Sequence, residues 1–422
     1  MSAFSTKRKL TAAVALLAAA SLALSGCSAS STKAEYAKGD GVLKIGGVIP
    51  LTGALSFLSP PEIAGAELAV ADINAAGGVL GKPVEWSAED SSDGDHPEVA
   101  PASATKVLSE GADVVLGAAA SGVTRLIIDQ ITKHKTVEIS MSNTAPDLST
   151  WKDGGYYFRT APSDLLQGAI VGNQIVADGN ENVAIIYQQT AYGEGLEAKA
   201  KAVIEASGAK VVSSLPFPEA ETNFDTIVDQ TIAAGADSVL VISYDEIKKI
   251  VPALQKKKFD GSKIYFVDGN LGNYSKEAWA GYIAGAKGTL PGGKLDEAFK
   301  KRAVDIYAKN HNGAKLTEFS YLAESYDAII LVALAAQQAG NDSGEAISKN
   351  LQSVSTGGVK VTDFAAGLAA IKAGKDIDYD GFSGPIEFDA NGDPTGASIG
   401  IYQYGKDGTN TLLNVVAGNS VK

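Results

Sequence analysis

Gly111 to Thr124, GADVVLGAAASGVT, is the stretch on which the reading of the fold turns. Ala112 to Leu116 is a short apolar run of the buried-strand kind. Gly117 to Ala120 carries nothing larger than a methyl group, and Ser121-Gly122 leads into a helical pattern from Val123 to Lys133. A strand that ends where a helix begins presents unpaired backbone N–H groups and the positive end of the peptide dipoles, and small side chains let an anion approach closely. Ser121 is therefore the expected floor of a carboxylate site; the plain structural alternative is an N-cap serine in a buried strand-to-helix turn.

The same alternation runs outward in both directions. Before this stretch come a strand pattern at Val42 to Ile49, a helix at Pro61 to Ala76 with Ile63, Ala66, Val70 and Ile73 on one face, a strand at Val84 to Ala88 and a helix at Glu98 to Ser109. A strand at Thr136 to Met141 follows it. A second series has strands at Val183 to Tyr187, Lys210 to Leu215, Ser238 to Ser243 and Lys263 to Val267, separated by helices at Gly193 to Ser207, Phe224 to Ala234 and Ile247 to Lys257. Helices at Leu295 to Asn310 and Phe319 to Gln338 and two short β runs, Pro385 to Phe388 and Ser398 to Tyr404, complete the pattern. Such alternation builds βαβ units, so the predicted class is α/β. Because 422 residues exceed what one core usually holds, two doubly wound lobes are expected.

The N-terminus carries a different message. Lys7-Arg8-Lys9 precedes fifteen uncharged residues, Leu10 to Leu24, a run too short for a comfortable membrane span, and Leu24-Ser25-Gly26-Cys27 closes it. Residues 1–26 read as an export signal. The final tetrad resembles the lipobox of bacterial lipoproteins, which implies cleavage before Cys27 and acylation of its thiol; the alternative is a stray cysteine in a signal anchor. Residues 27–40, rich in Ser, Ala, Lys and Gly, read as a lipidated cysteine and a flexible tether. The signal holds three basic and no acidic residues, so its removal moves the formal charge from −13 to −16. That acidity disfavours nucleic acid and anionic lipid as partners and leaves the lipid on Cys27 as the membrane anchor. Cys27 is the only cysteine, so no disulfide is available within the chain and stability must come from the core.

In open α/β sheets a ligand sits in the crevice outside the carboxyl ends of the strands. The residues there are Thr52, Phe57 and Leu58 after the first strand, Ser121, and Ser142-Asn143-Thr144; in the second series they are Tyr192-Gly193-Glu194-Gly195, Tyr244-Asp245 and Asp268-Gly269-Asn270. Hydroxyls and backbone amides on one side, with a carboxylate and tyrosines on the other, suit a small zwitterion with an apolar tail.

With those residues in view, the chain resembles the type I periplasmic binding proteins that feed ABC importers, most closely the branch that binds leucine, isoleucine, valine and related amino acids. The carrying segments are IPLTGALSFL (49–58), AGAELAVADINAAGGVLGKPV (64–84), SNTAPDL (142–148), FRTAPSDLLQG (158–168), AYGEGL (191–196), SYDA (325–328) and GPIEFDANGD (384–393). The resemblance implies a monomer without cofactor that closes two lobes on a small solute and docks on ABC permease subunits. It would stand on the outer face of a cytoplasmic membrane or in the periplasm. Three hinge crossings are implied, near Arg159-Thr160, Gly285 to Leu290 and Tyr379 to Gly384, placing residues 41–160 and 286–380 in lobe 1 and residues 161–285 and 381–415 in lobe 2.

Carried over by position, the family's α-carboxylate contacts fall on Ser121 and Thr144, and a backbone carbonyl for the ammonium falls on Ser142. The opposite lobe supplies Tyr192 and Tyr244, and Leu58 or Phe57 packs on the ligand side chain. One departure stands out. Where the amino-acid binders place a glutamate against the ligand ammonium, this chain has Gly269, with Asp268 one residue earlier. Asp268 is either the substitute partner or a strand-end N-cap, and Tyr192 and Tyr244 read equally as core tyrosines. A ligand sensor, or a binder of amide, urea-like or other small carboxylate solutes, remains the alternative reading.

Other motifs give way to plainer readings. The acidic run Glu89 to Asp95 lacks EF-hand spacing and reads as a solvated turn, and Asp389 to Asp393 reads as a hairpin turn rather than a metal site. His96, His134 and His311 are scattered, Gly193-Glu194-Gly195 lacks the third glycine of a dinucleotide fingerprint, and Lys256 to Lys258 reads as the charged end of a helix. No nucleophile elbow, phosphate loop or metal-spaced pair is present, so an enzyme is not expected.

Overall fold

The computed structural model describes residues 38–419; the signal segment, Cys27 and most of the expected tether lie outside the described residues. The last tether residue, Asp40, is already tied down, accepting from the Val42 N–H and pairing with Lys44 Nζ at 2.7 Å.

Strands β1 (Lys44–Ile49), β2 (Glu85–Asp90), β3 (Val114–Gly117), β4 (Val137–Ser140) and β5 (Tyr157–Arg159) form a parallel sheet in the order β2-β1-β3-β4-β5. Helices α1 (Ser59–Ala75), α2 (Val99–Ser109) and α3 (Ser121–Lys133) are its crossovers. All residues of β3 and β4 are buried, as expected of strands covered on both faces. On α3, Val123, Ile127, Ile128 and Ile131 recur at helical spacing and supply the buried stripe.

The chain then enters a second sheet through α4 (Asp164–Ala177), β6 (Asn182–Gln188), α5 (Ala191–Ala206), β7 (Lys210–Phe217), α6 (Asp225–Ala233), β8 (Ser238–Ile242), α7 (Ile247–Lys256), β9 (Ile264–Phe266) and β10 (Lys287–Pro291). It returns to the first sheet's side with α8 (Glu297–Asn310), α9 (Leu322–Ala339), α10 (Gly344–Val354), β11 (Val359–Val361), α11 (Phe364–Lys372) and β12 (Ile377–Tyr379). It ends in the second sheet as the hairpin β13 (Gly396–Tyr404) and β14 (Asn410–Asn419). The second sheet runs β14-β13-β10-β9-β8-β6-β7, parallel from β7 to β10 and antiparallel thereafter.

Several elements depart from the sequence expectation. Lys287–Pro291 is a strand of the second sheet, so the return passage follows Pro291 and not Gly285 to Leu290. Pro385 and Phe388 make only isolated bridges, because their neighbours turn. Helices α4, α10 and α11 and strands β5, β10, β11, β12 and β14 lie outside the sequence pattern; β5, β11 and β12 are three residues each, too short to show a period.

Helix α9 is buried from Leu322 to Ala336 and lies among α1, α10 and α11. A Cβ on Gly65 would come within 2.4 Å of the Leu322 carbonyl oxygen, so only glycine lets α1 approach so closely. The passages between the sheets are pinned by buried charge. The Arg159 guanidinium forks onto Asp393, Nε to Oδ1 at 2.7 Å and Nη2 to Oδ2 at 3.0 Å, giving the Asp389 to Asp393 turn a structural task. Asp327, from the SYDA segment, accepts from the Tyr379 hydroxyl and from the Phe382 and Ser383 N–H groups. No helix among the described residues is long and apolar enough to cross a membrane.

Candidate functional site

Strand order reverses between β1 and β3 in the first sheet and between β6 and β8 in the second, and the segments beyond those carboxyl ends meet. On the first side, Ser121 opens α3 and does not cap it; the N-cap is Ala120, which makes no side-chain bond. The Ser121 hydroxyl oxygen instead accepts from the Thr144 and Ala145 N–H groups, both at 3.3 Å, which leaves its own proton to be donated. The first N–H groups of α3 lack intrahelical partners. Thr144 is held in place because its carbonyl accepts from Asp164 N–H at 2.7 Å, while Arg159 Nη1 donates to the Ala145 carbonyl at 2.9 Å. Ser142 Oγ turns away and donates to Glu62 Oε1 at 2.8 Å.

The second side centres on Asp268. Its Oδ1 accepts from Tyr192 OH at 2.8 Å and Gln167 Nε2 at 2.9 Å, and its Oδ2 from Tyr321 OH at 2.5 Å. Asp268 is not the N-cap of the short turn that it begins; Val267 holds that position. Tyr192 and Tyr244 stack with ring centroids 5.4 Å apart. The missing glutamate has a steric reason: a Cβ at Gly269 would lie 2.8 Å from the Ser243 carbonyl oxygen, 2.9 Å from Tyr192 Oη and 2.9 Å from Tyr244 Cδ1. The stacked tyrosines occupy that space, and the carboxylate comes from the preceding residue.

A small cavity is lined by Ser121, Ser142, Thr144, Leu58, Tyr192, Tyr244 and Asp268, with Leu55, Ala119, Gly269 and Tyr321. Seven of the eight sequence-derived site residues thus come together. Phe57 instead lines the adjoining opening with Tyr244 and Gly269. Sequence reasoning missed Tyr321, which precedes α9 without any pattern to mark it, and Gln167, which lies on α4. It also missed Glu62 behind Ser142.

The electrostatics divide the cavity. Burial raises the Asp268 carboxyl above its ordinary range, while Tyr321, Tyr192, Gln167 and the Gly269 N–H oppose the rise. Asp164, one turn before Gln167, is raised well above its usual value by burial and by the charge of Asp268. Glu62 is pushed up to about 8 by burial against the Ser142 hydroxyl. Donors therefore face the cavity from the first sheet and a buried carboxyl system faces it from the second. Among the described residues no group of three or more His, Cys, Asp or Glu side chains could hold a metal ion.

The comparisons with known proteins agree with this architecture. Residues 42–409 match the family model described as periplasmic binding protein. The leucine-, isoleucine-, valine-, threonine- and alanine-binding protein of Pseudomonas aeruginosa is 26% identical over 384 residues, covering 90% of this chain and 94% of that one. The Leu/Ile/Val/Thr-binding protein of Salmonella typhimurium is 28% identical over 400 residues, covering 92% and 98%. The isoleucine complex of a branched-chain amino acid transporter substrate binding protein from Streptococcus pneumoniae superposes with a TM-score of 0.72 at 23% identity, covering 90% and 99%. A benzoate complex of an ABC transporter solute binding protein from R. palustris does so with a TM-score of 0.70 at 18% identity, covering 90% and 98%. With nearly the whole folded chain matched, the protein belongs to the periplasmic binding protein family.

Proposed function

We propose that this protein is the extracytoplasmic solute-binding subunit of an ABC importer and captures an amino acid of the branched-chain type between its two lobes. The observation that carries the reading is the polarity of the cavity: the Ser121 and Thr144 hydroxyls and the start of α3 on one side, the Asp268 carboxyl on the other, and Leu55, Leu58 and Ala119 as apolar wall. A zwitterion satisfies both sides at once, so ligand favours the closed arrangement by bridging them. The chain acts as a monomer without catalysis, held at the membrane by lipid on Cys27 and delivering its solute to permease subunits.

Asp268 already accepts three hydrogen bonds, which favours one further reading, a small carboxylate or amide without an ammonium. A thermal-shift screen of the purified protein against amino acids, their amides, urea and small carboxylates separates the two, because a bound ligand raises the unfolding midpoint by mass action. Stabilisation by leucine, isoleucine or valine, lost in Ser121→Ala and in Thr144→Ala, is the expected result. Stabilisation only by solutes lacking an ammonium would transfer the assignment to the second reading.

A further inference from the structure

A second, larger cavity of about 670 Å³ lies on the other side of Tyr321, whose ring lines both spaces. Its walls come from the first sheet's side through Leu295, Phe319 and Phe382, and from the second sheet through Pro291, Tyr402 and Leu412. Glu324, in the first turn of α9, lines it while remaining only 4% exposed. Its Oε1 lies so close to Gly292 that a Cβ there would come within 2.9 Å. Among the described residues none other than its own backbone N–H donates to its carboxyl.

We propose that this cavity is a second ligand site, which takes a small organic ammonium ion with an apolar body and pairs the ammonium with Glu324. A buried carboxyl with no cation to pair is costly to ionise, and an entering ammonium supplies the missing partner. Burial holds Glu324 at about 8, so the empty cavity keeps its carboxyl largely protonated, and an entering ammonium favours the ionised form. Lys294 and Lys300 also line the cavity, but neither forms an ion pair with Glu324: Lys294 is exposed, and Lys300 Nζ sits over the Phe319 ring at 4.2 Å. That contact shows an aromatic wall that accepts a cation. The volume lies within the usual range for small-molecule pockets. The site is independent of what the cleft between Ser121 and Asp268 binds.

Isothermal titration of the purified full chain with phenethylamine tests the proposal, with phenethyl alcohol as the uncharged control. One amine should bind per chain, Glu324→Gln should weaken it by about tenfold or more, and the alcohol should bind more weakly by a similar factor. Leu412→Trp, which fills the cavity from the hairpin, should abolish amine binding while leaving the solute response of the cleft. The Ser121→Ala, Thr144→Ala double variant should bind the amine as the unaltered protein does. No amine binding, amine binding indifferent to Glu324→Gln or to Leu412→Trp, equal binding of the alcohol, or loss in the Ser121→Ala, Thr144→Ala variant would each overturn it.

Discussion

Replacing Asp268 by asparagine tests the carboxylate at the centre of the cleft. The side chain receives Gln167 and Tyr192 on Oδ1 and Tyr321 on Oδ2. Asparagine keeps one acceptor oxygen and turns the other into an NH2 donor, so one of the three donors meets another donor unless a tyrosine hydroxyl reverses. The hydrogen bond at stake is worth about 1–3 kcal/mol, and relief from burying an ionisable group offsets part of it. The unfolding midpoint should therefore move little. Binding is affected more strongly, because a charge-assisted bond to a ligand ammonium contributes about 1.5–3 kcal/mol, a loss of roughly 10–150-fold in affinity. Calorimetric titration with leucine and isoleucine measures that loss, with thermal unfolding as the control for folding. If Asp268→Asn binds leucine as tightly as the unaltered protein, Asp268 is not the ammonium partner and the argument from cavity polarity fails.

Three further perturbations follow from the geometry. Asp393→Ala leaves the fully buried Arg159 guanidinium without its fork partner and should cost about 3–5 kcal/mol in urea unfolding; a change below about 1 kcal/mol would show that Ser149 and the Ala145 carbonyl suffice. Gly269→Ala places a methyl within 3 Å of three atoms and should destabilise the protein by about 1–3 kcal/mol, so an unchanged midpoint would contradict the steric account of the missing glutamate. Glu62 stays protonated in the folded chain up to about 8 but ionises near 4.5 when unfolded; its contribution is complete below pH 4.5 and is lost as pH rises through 8. Between pH 6 and 9 this should remove about 3 kcal/mol of stability, and Glu62→Gln should flatten the profile by that share. A variant whose profile parallels that of the unaltered chain would rule Glu62 out as the source.

Some parts of the site are legible in the sequence alone. Ser121, Thr144, Tyr192, Tyr244 and Asp268 each follow a strand, and strand-end position in an α/β pattern is a local property that apolar periodicity reveals. Tyr321 and Gln167 were not visible, because each reaches Asp268 across a long sequence separation from an element with no local mark of function. Phe57 is the converse case: the sequence names it beside Leu58, but only the packing shows that it lines a different opening.

By itself the sequence determined the class of fold, the alternation of strand and helix, and a polar residue at nearly every strand end that matters. These follow from hydrophobic period and chain length, which each segment carries within itself. Only the tertiary structure decided that β10 joins the second sheet, that Arg159 reaches Asp393, that the tyrosine pair excludes a side chain at 269, and that the buried Glu324 lines a cavity. Each of those depends on what distant segments bring to the same few ångströms, and burial, close packing and the field at a carboxyl exist only once they have met.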